Sequence, residues 1–125
     1  MQETKKKILL VDDEKETLAF LSATLKRNDF EVITASEGVQ ALELAKQTKP
    51  QVIILDIIMP GIDGAEIAVN LDDDPETRYI PIIFLTGIMN KKEQFFKIRA
   101  GKQYELLAKP VDQEELLAAI NKVLK

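Results

Sequence analysis

The stretch Val52-Ile-Ile-Leu-Asp-Ile-Ile-Met-Pro-Gly-Ile-Asp-Gly64 runs four aliphatic residues into an aspartate, adds two isoleucines, and closes on Met-Pro-Gly. A short unbroken apolar run bounded by turn residues suits a strand covered on both faces. Asp56 follows it without a spacer. A carboxylate buried beside such a run costs several kcal/mol unless its charge is compensated. What compensates Asp56 decides both the fold and the chemistry.

Outward from this segment, aliphatic runs recur at 8–11, 32–33, 80–85 and 106–108. The runs at 8–11 and 80–85 are nearly continuous, like 52–55. The pair Val32-Ile33 is flanked by Glu31 and Thr34, as expected nearer a sheet edge. Helical spacing lies between them: Leu18, Leu21 and Leu25 after Asp13-Glu14; Ala41, Leu42 and Ala45 after Ser36-Glu37-Gly38; and a shorter pattern at Ile67, Ala68 and Leu71. A fourth pattern at Phe95, Phe96 and Ile98 is expected to stop at Gly101, where a C′ glycine would stand. Asp112-Gln-Glu-Glu115 resembles a capping box ahead of Leu116, Ile120, Val123 and Leu124. Five strand–helix alternations predict an α/β fold, a doubly wound five-stranded parallel sheet with helices on both faces. Residues 1–125 read as a single domain, with no output domain in this chain.

Composition narrows the chemistry. There is no histidine and no cysteine among the 125 residues, which removes disulfides, thiolate chemistry, zinc sites of the usual kind and any His-based triad. A metal would need oxygen ligands: magnesium, calcium or manganese. The net charge of −4 disfavours generic nucleic-acid or anionic-membrane binding. Lys5-Lys6-Lys7 precedes only four apolar residues, too few for a signal peptide, and no apolar run spans a bilayer. The expected location is cytoplasmic.

In such sheets ligands bind at the carboxyl ends of the strands, where strand order reverses. The first strand ends in Asp12-Asp13, the third in Asp56, the fourth in Thr86-Gly87 and the fifth in Lys109-Pro110. Singly, each has a plain reading: a helix cap, a strand end, a solvated surface charge. Jointly they bring three carboxylates, a hydroxyl and an ammonium to one region, and crowded like charges call for a cation. Magnesium fits, since it holds one or two carboxylates, keeps several waters and completes its shell from a phosphate. Screened by that ion and by Lys109, an ionised Asp56 is a nucleophile for phosphorus, and catalysis is then mostly positioning and charge neutralisation.

These residues, with the Asp-x-x-Met-Pro-x-x-Asp-Gly segment, resemble the receiver domain of two-component response regulators, a family that includes chemotaxis regulators. The likeness covers essentially the whole chain. It implies a flavodoxin-like strand order 2-1-3-4-5, and a signalling phosphoacceptor rather than an enzyme, one that promotes its own phosphorylation and dephosphorylation. It implies that Asp56 accepts phosphate from a histidine kinase or histidine phosphotransfer protein. Asp13 and Asp56, with the Ile58 carbonyl, would bind Mg2+ directly, and Asp12 largely through water. Lys109 would pair with the phosphoryl group, Thr86 would be drawn toward it as a switch, and the Lys109–Pro110 bond would be cis.

Two features depart from the family pattern. Family members usually carry Tyr or Phe three residues before the lysine, as the partner of the switch threonine; here that residue is Leu106, with Tyr104 two residues earlier. Either Tyr104 takes the role through a local bulge, or the aromatic half of the switch is missing. Ile58 and Ile88, two beyond Asp56 and two beyond Thr86, put bulky apolar groups where the family flanks the mouth of the site, which predicts a longer-lived phosphoryl group. Ile88, Met89, Phe95, Phe96 and Tyr104 exceed the apolar need of one short helix and are interleaved with Lys91, Lys92, Lys97 and Arg99. Core packing with a solvated basic face is the plainer reading. The sharper one is a homodimer or downstream-protein surface biased by phosphorylation.

Rival readings fit less well. A haloacid-dehalogenase-like hydrolase wants a second acid two residues after the nucleophile, and position 58 is isoleucine. A flavin module needs a Ser/Thr/Gly-rich loop after the first strand, where Asp-Asp-Glu repels phosphate. A receiver-like module that has lost phosphorylation should lack one of the acids or the lysine, and all are present.

Overall fold

The computed structural model describes residues 5–87 and 104–124. The described elements run β1 (Lys6–Val11), α1 (Lys15–Arg27), β2 (Phe30–Ala35), α2 (Gly38–Thr48), β3 (Val52–Asp56), α3 (Gly64–Asp73), β4 (Ile82–Thr86), β5 (Tyr104–Ala108) and α4 (Gln113–Val123). The five strands form one sheet in the order β2-β1-β3-β4-β5, every pair parallel. The expected doubly wound architecture is observed. The fourth helical pattern, Phe95 to Gly101 in the sequence, lies outside the described residues.

Period-two alternation divides the core cleanly. Leu9, Val11, Ile53, Leu55, Ile82 and Phe84 point to one face, against Ala41 and Ala45 of α2 and Ile67, Ala68 and Leu71 of α3. Ile8, Leu10, Val52, Ile54, Ile83, Leu85 and Leu107 point to the other, against Leu21 and Leu25 of α1 and Leu116, Ala119, Ile120 and Val123 of α4. Burial of each large aliphatic contributes roughly 1.5–3 kcal/mol, so both layers are needed to hold the sheet. β3 and β4 are buried throughout, as a sheet covered on both faces requires.

β2 and β5 are the edge strands, and β2 is longer than its two aliphatic residues suggest, running from Phe30 to Ala35. β4 starts at Ile82 rather than Ile80: the Ile80 N–H closes a turn onto the Thr77 carbonyl, and Pro81 brings no N–H. β5 starts two residues before its apolar run, because Tyr104 pairs in register with Ile82. Asp112 caps α4, accepting from the Glu115 N–H at 3.0 Å. The Lys109–Pro110 peptide is cis. Among the described residues no helix is long and apolar enough to cross a membrane.

Candidate functional site

The same alternation that fills the core delivers the polar residues. Asp12 continues the row of Ile8 and Leu10, Asp56 the row of Val52 and Ile54, and Lys109 the row of Leu107, so all three lean toward the α1/α4 side of the sheet. Register brings them level: Val11 lies opposite Leu55, Asp56 opposite Leu85, and Thr86 opposite Ala108. The cluster forms at the carboxyl ends of β1 and β3, where the strand order reverses.

The segment after Asp56 is pinned from several sides. The Ile57 N–H donates to the Leu85 carbonyl at 2.9 Å, and the Gly64 N–H donates to the Ile57 carbonyl at 2.8 Å. Ile57 and Met59 are buried in the α2/α3 core. Between them and α3, Pro60 is followed by Gly61 at φ +78°, the succession that a type II turn needs. Asp63 then caps α3 by accepting from the Glu66 N–H at 3.0 Å. The Met-Pro-Gly-Ile-Asp-Gly sequence is thus a turn, a cap and a close contact in succession, and it fixes the backbone next to Asp56.

Asp12, Asp13 and Asp56 each present a carboxylate oxygen within 4.8 Å of the others. Asp12 is fully buried and Asp56 is 4% exposed, whereas Asp13 faces solvent. Lys109 Nζ lies 2.9 Å from Asp12 Oδ2, 3.3 Å from Asp56 Oδ2 and 2.7 Å from Glu14 Oε1. Burial pushes the Asp56 carboxyl up to about 6, with the Asp12 charge adding to it; Lys109 and the Ile58 N–H, 3.4 Å from Asp56 Oδ1, pull the other way. Burial alone would lower the Lys109 ammonium, but its close contacts with Glu14 and Asp12 and the charge of Asp56 outweigh that and hold it above its usual range. The hydrogen bond from Lys109, and then its charge, keeps Glu14 below the ordinary carboxylate range.

Three carboxylates, Asp12, Glu14 and Asp56, therefore share one ammonium, and Asp13 adds a fourth negative charge beside Asp12 and Asp56. The donor set is all oxygen and suits a hard divalent cation. Asp12 Oδ2 is buried without an aligned hydrogen bond although Lys109 Nζ stands 2.9 Å away, so its compensation is charge rather than a directed donor. An acceptor left in that state is fit to meet a cation.

Thr86 ends β4, is 1% exposed, and its carbonyl accepts from the Lys109 N–H at 2.9 Å. Ile58 is 45% exposed at the edge of the cluster. Leu106 pairs with Phe84 and packs on the α2/α3 core, while the Tyr104 backbone pairs with Ile82 at the opposite end of β5 from Lys109. No bulge separates them: the register from Tyr104 to Ala108 is continuous. Ile88, Met89, Phe95, Phe96 and the lysines among them lie outside the described residues.

One contact escaped the sequence reading. In the sequence Glu14 reads only as part of the approach to α1, yet among the described residues it makes the shortest ion pair to Lys109, across 95 positions. The available signal was its position: Glu14 is the N-cap of α1, where Ser, Thr, Asp or Asn is the usual choice, and its side chain caps nothing.

Comparison with known proteins agrees with this arrangement. The pattern of the response regulator receiver domain matches residues 8–121. The chain is 38% identical to the protein PilH of Pseudomonas aeruginosa over 118 residues, 94% of this chain and 97% of PilH. Some other curated relatives are longer, and the chain spans 26% of one and 49% of another. Chemotaxis protein CheY4 of Vibrio cholerae superposes with a TM-score of 0.87 at 33% identity, covering 97% of this chain and 100% of CheY4. The receiver domain of the sensor histidine kinase PA1611 of Pseudomonas aeruginosa, solved with a magnesium ion coordinated in its active-site cleft, gives 0.86 at 26% identity, covering 97% and 98%. The chain belongs to the response regulator receiver domains, whose family function is to accept a phosphoryl group in two-component signalling.

Proposed function

We propose that Asp56 is the phosphoacceptor of this domain, taking the phosphoryl group from a phosphohistidine on a kinase or phosphotransfer protein. The observation that carries this reading is the pairing of a nearly buried carboxylate with an ammonium at 3.3 Å, at the strand ends where the other two aspartates converge. An Asp56 carboxylate oxygen attacks phosphorus, the phosphorus–nitrogen bond breaks, and its electron pair leaves with the imidazole. The product is an acyl phosphate on Asp56. In the reverse half of the cycle water attacks that phosphorus, inorganic phosphate departs and the carboxylate returns.

Asp12, Asp13, Asp56 and the Ile58 carbonyl would hold Mg2+. When bound, that ion supplies positive charge where the phosphoryl oxygens gather. The chain's own contribution is positional. Lys109 offers its ammonium to the oxygens that develop charge in flight, and the buried β3 end excludes water from the far side of Asp56. The Thr86 hydroxyl would donate to a phosphoryl oxygen, which makes phosphorylation felt at the end of β4. Because these groups all belong to the domain, it promotes both its own phosphorylation and its own dephosphorylation. Tyr104, which pairs at the far end of β5, fits the aromatic half of that switch less well than a residue at position 106 would, and position 106 is Leu106.

A groove of about 460 Å³ opens beside Lys109 between α1 and Pro110-Val111, with Phe20 on its wall 54% exposed. On this reading the donor protein docks there, which brings its phosphohistidine to Asp56. The downstream contact, with another protein or a second copy of this chain, is assigned to the stretch 88–104 on the apolar content of its sequence.

Incubation with magnesium and acetyl phosphate, followed by intact mass, tests the proposal. Wild type gains one phosphoryl group and Asp56→Asn gains none. Equal gain by both proteins, or turnover of diverse phosphate esters, would overturn it.

A further inference from the structure

We infer that Glu14 is a positioning residue that detains Lys109 in the resting state and so sets how readily Asp56 is phosphorylated. The inference rests on the phosphoacceptor reading above and adds a regulator to the same site.

Three observations carry it. The contacts of Lys109 Nζ are graded, 2.7 Å to Glu14, 2.9 Å to Asp12 and 3.3 Å to Asp56, so the nucleophile has the weakest hold on the ammonium it needs. Glu14 occupies the N-cap of α1 but makes no side-chain cap bond, so its carboxylate is left for Lys109 instead. The Glu14 oxygen that accepts from Lys109 also receives the Thr17 hydroxyl at 3.4 Å, and the Glu14 N–H donates to Asp12 Oδ1 at 2.9 Å. Backbone and side chain of Glu14 are both held at the rim.

The Glu14 side chain is 60% exposed, which makes this a hold that can be released. Exposed pairs are weak and screened, unlike the buried pairing of Asp12 with the same lysine. An incoming phosphoryl group offers Lys109 three charged oxygens and outcompetes a single solvated carboxylate. Glu14 then lets go without leaving a buried charge behind, because water takes up its carboxylate. The resting geometry is thereby kept one short step from competence, and the size of that step depends on Glu14.

The test is the rate of phosphorylation of Asp56 by acetyl phosphate in magnesium, read by intact mass, for wild type, Glu14→Gln and Glu16→Gln. Glu16 is exposed in the same turn and lines the same groove, so its variant makes the same change of charge without touching the hold on Lys109. Glu14→Gln is expected to be faster than Glu16→Gln by about three- to five-fold, the upper range for an exposed pair. Thr17→Val moves the rate the same way by less. Exchange of the Lys109 ammonium protons with water, followed by nitrogen-15 NMR without any phosphodonor, quickens in Glu14→Gln and not in Glu16→Gln. Equal rates for the two glutamine variants, a slower Glu14→Gln, or unchanged ammonium exchange overturns the inference while leaving the phosphoacceptor reading intact. A wild type that takes no phosphoryl group overturns that reading first.

Discussion

Gly64 and Asp56 touch through their backbones: a Cβ at Gly64 would lie 2.5 Å from the Asp56 carbonyl oxygen and 2.7 Å from the Ile57 Cα. Neither atom belongs to a flexible side chain, so no rotamer change relieves the clash. The first turn of α3 can approach the end of β3 this closely only without a side chain, and the approach fixes the peptide that carries Asp56.

Gly64→Ala is therefore expected to destabilise the domain by about 1–3 kcal/mol, the usual range for overpacking. The displaced β3 end should also slow phosphorylation of Asp56 by about ten- to a hundred-fold, since small misplacements of reacting groups are costly. Urea denaturation and the acetyl phosphate mass assay measure the two effects. Gly61→Ala is a useful contrast: space is open there, and only the φ of +78° resists a side chain, so it costs stability without pushing on Asp56.

The pH dependence of stability should reveal the strained state of Asp56. Its folded carboxyl is raised from 3.8 to about 6, so between those values the folded chain binds the proton more tightly than the unfolded chain does. That contribution is fully present below pH 4 and is lost as pH rises through 6. Two pH units correspond to about 2–3 kcal/mol. In EDTA, Asp56→Asn should match wild type most nearly near pH 4 and exceed it by about that amount at pH 7.5. Denaturation curves across this range check the prediction, and a parallel offset at all pH values would refute it.

Lys109 is the counterpart of that strain. Lys109→Met leaves Asp12, fully buried, and Asp56, 4% exposed, without their cation. Removing one partner of a buried pair typically costs about 3–5 kcal/mol. Magnesium should then raise the melting temperature of the variant more than that of wild type, because the ion meets a larger unbalanced charge. Phosphorylation should fall sharply even at saturating magnesium, since the ammonium that neutralises the phosphoryl oxygens is gone. Thermal melts with and without the ion, set beside the mass assay, separate the two roles.

Much of this was written in the sequence because burial on both sheet faces leaves unbroken aliphatic runs. The runs 52–55 and 80–85 announce β3 and β4, and any polar residue immediately after such a run must stand at the sheet's carboxyl edge. Asp12, Asp56, Thr86 and Lys109 were found that way. The start of β4 is not legible, because Ile80 is buried like a strand residue while its N–H serves a turn. The contact of Glu14 is hidden for a different reason. Its partner is 95 residues away, and nothing in local periodicity tells which acid at a crowded edge will reach the lysine most closely. The contrast between Tyr104 and Leu106 was legible as a departure, but only strand register showed that Leu106 lies beside Phe84 and that Tyr104 pairs at the far end.

Ile58 gives the last prediction. It is 45% exposed beside Asp56, its N–H lies 3.4 Å from Asp56 Oδ1, and its side chain stands two residues beyond the nucleophile at the rim. Water that hydrolyses an acyl phosphate must approach phosphorus in line from outside, and an apolar side chain at the rim neither orients that water nor leaves it much room. Ile58→Asn supplies a donor and an acceptor in place of a branched aliphatic, at a position exposed enough that folding changes little. The phosphoryl group on Asp56 should then be lost severalfold faster, on the order of the effect expected from one well-placed hydrogen bond. Phosphate release after removal of the donor measures the lifetime. Ile58→Val, which keeps the apolar character with less bulk, separates orientation from access: if it shortens the lifetime as much as asparagine does, room for water limits hydrolysis, and if it leaves the lifetime unchanged, hydrogen bonding to the water does.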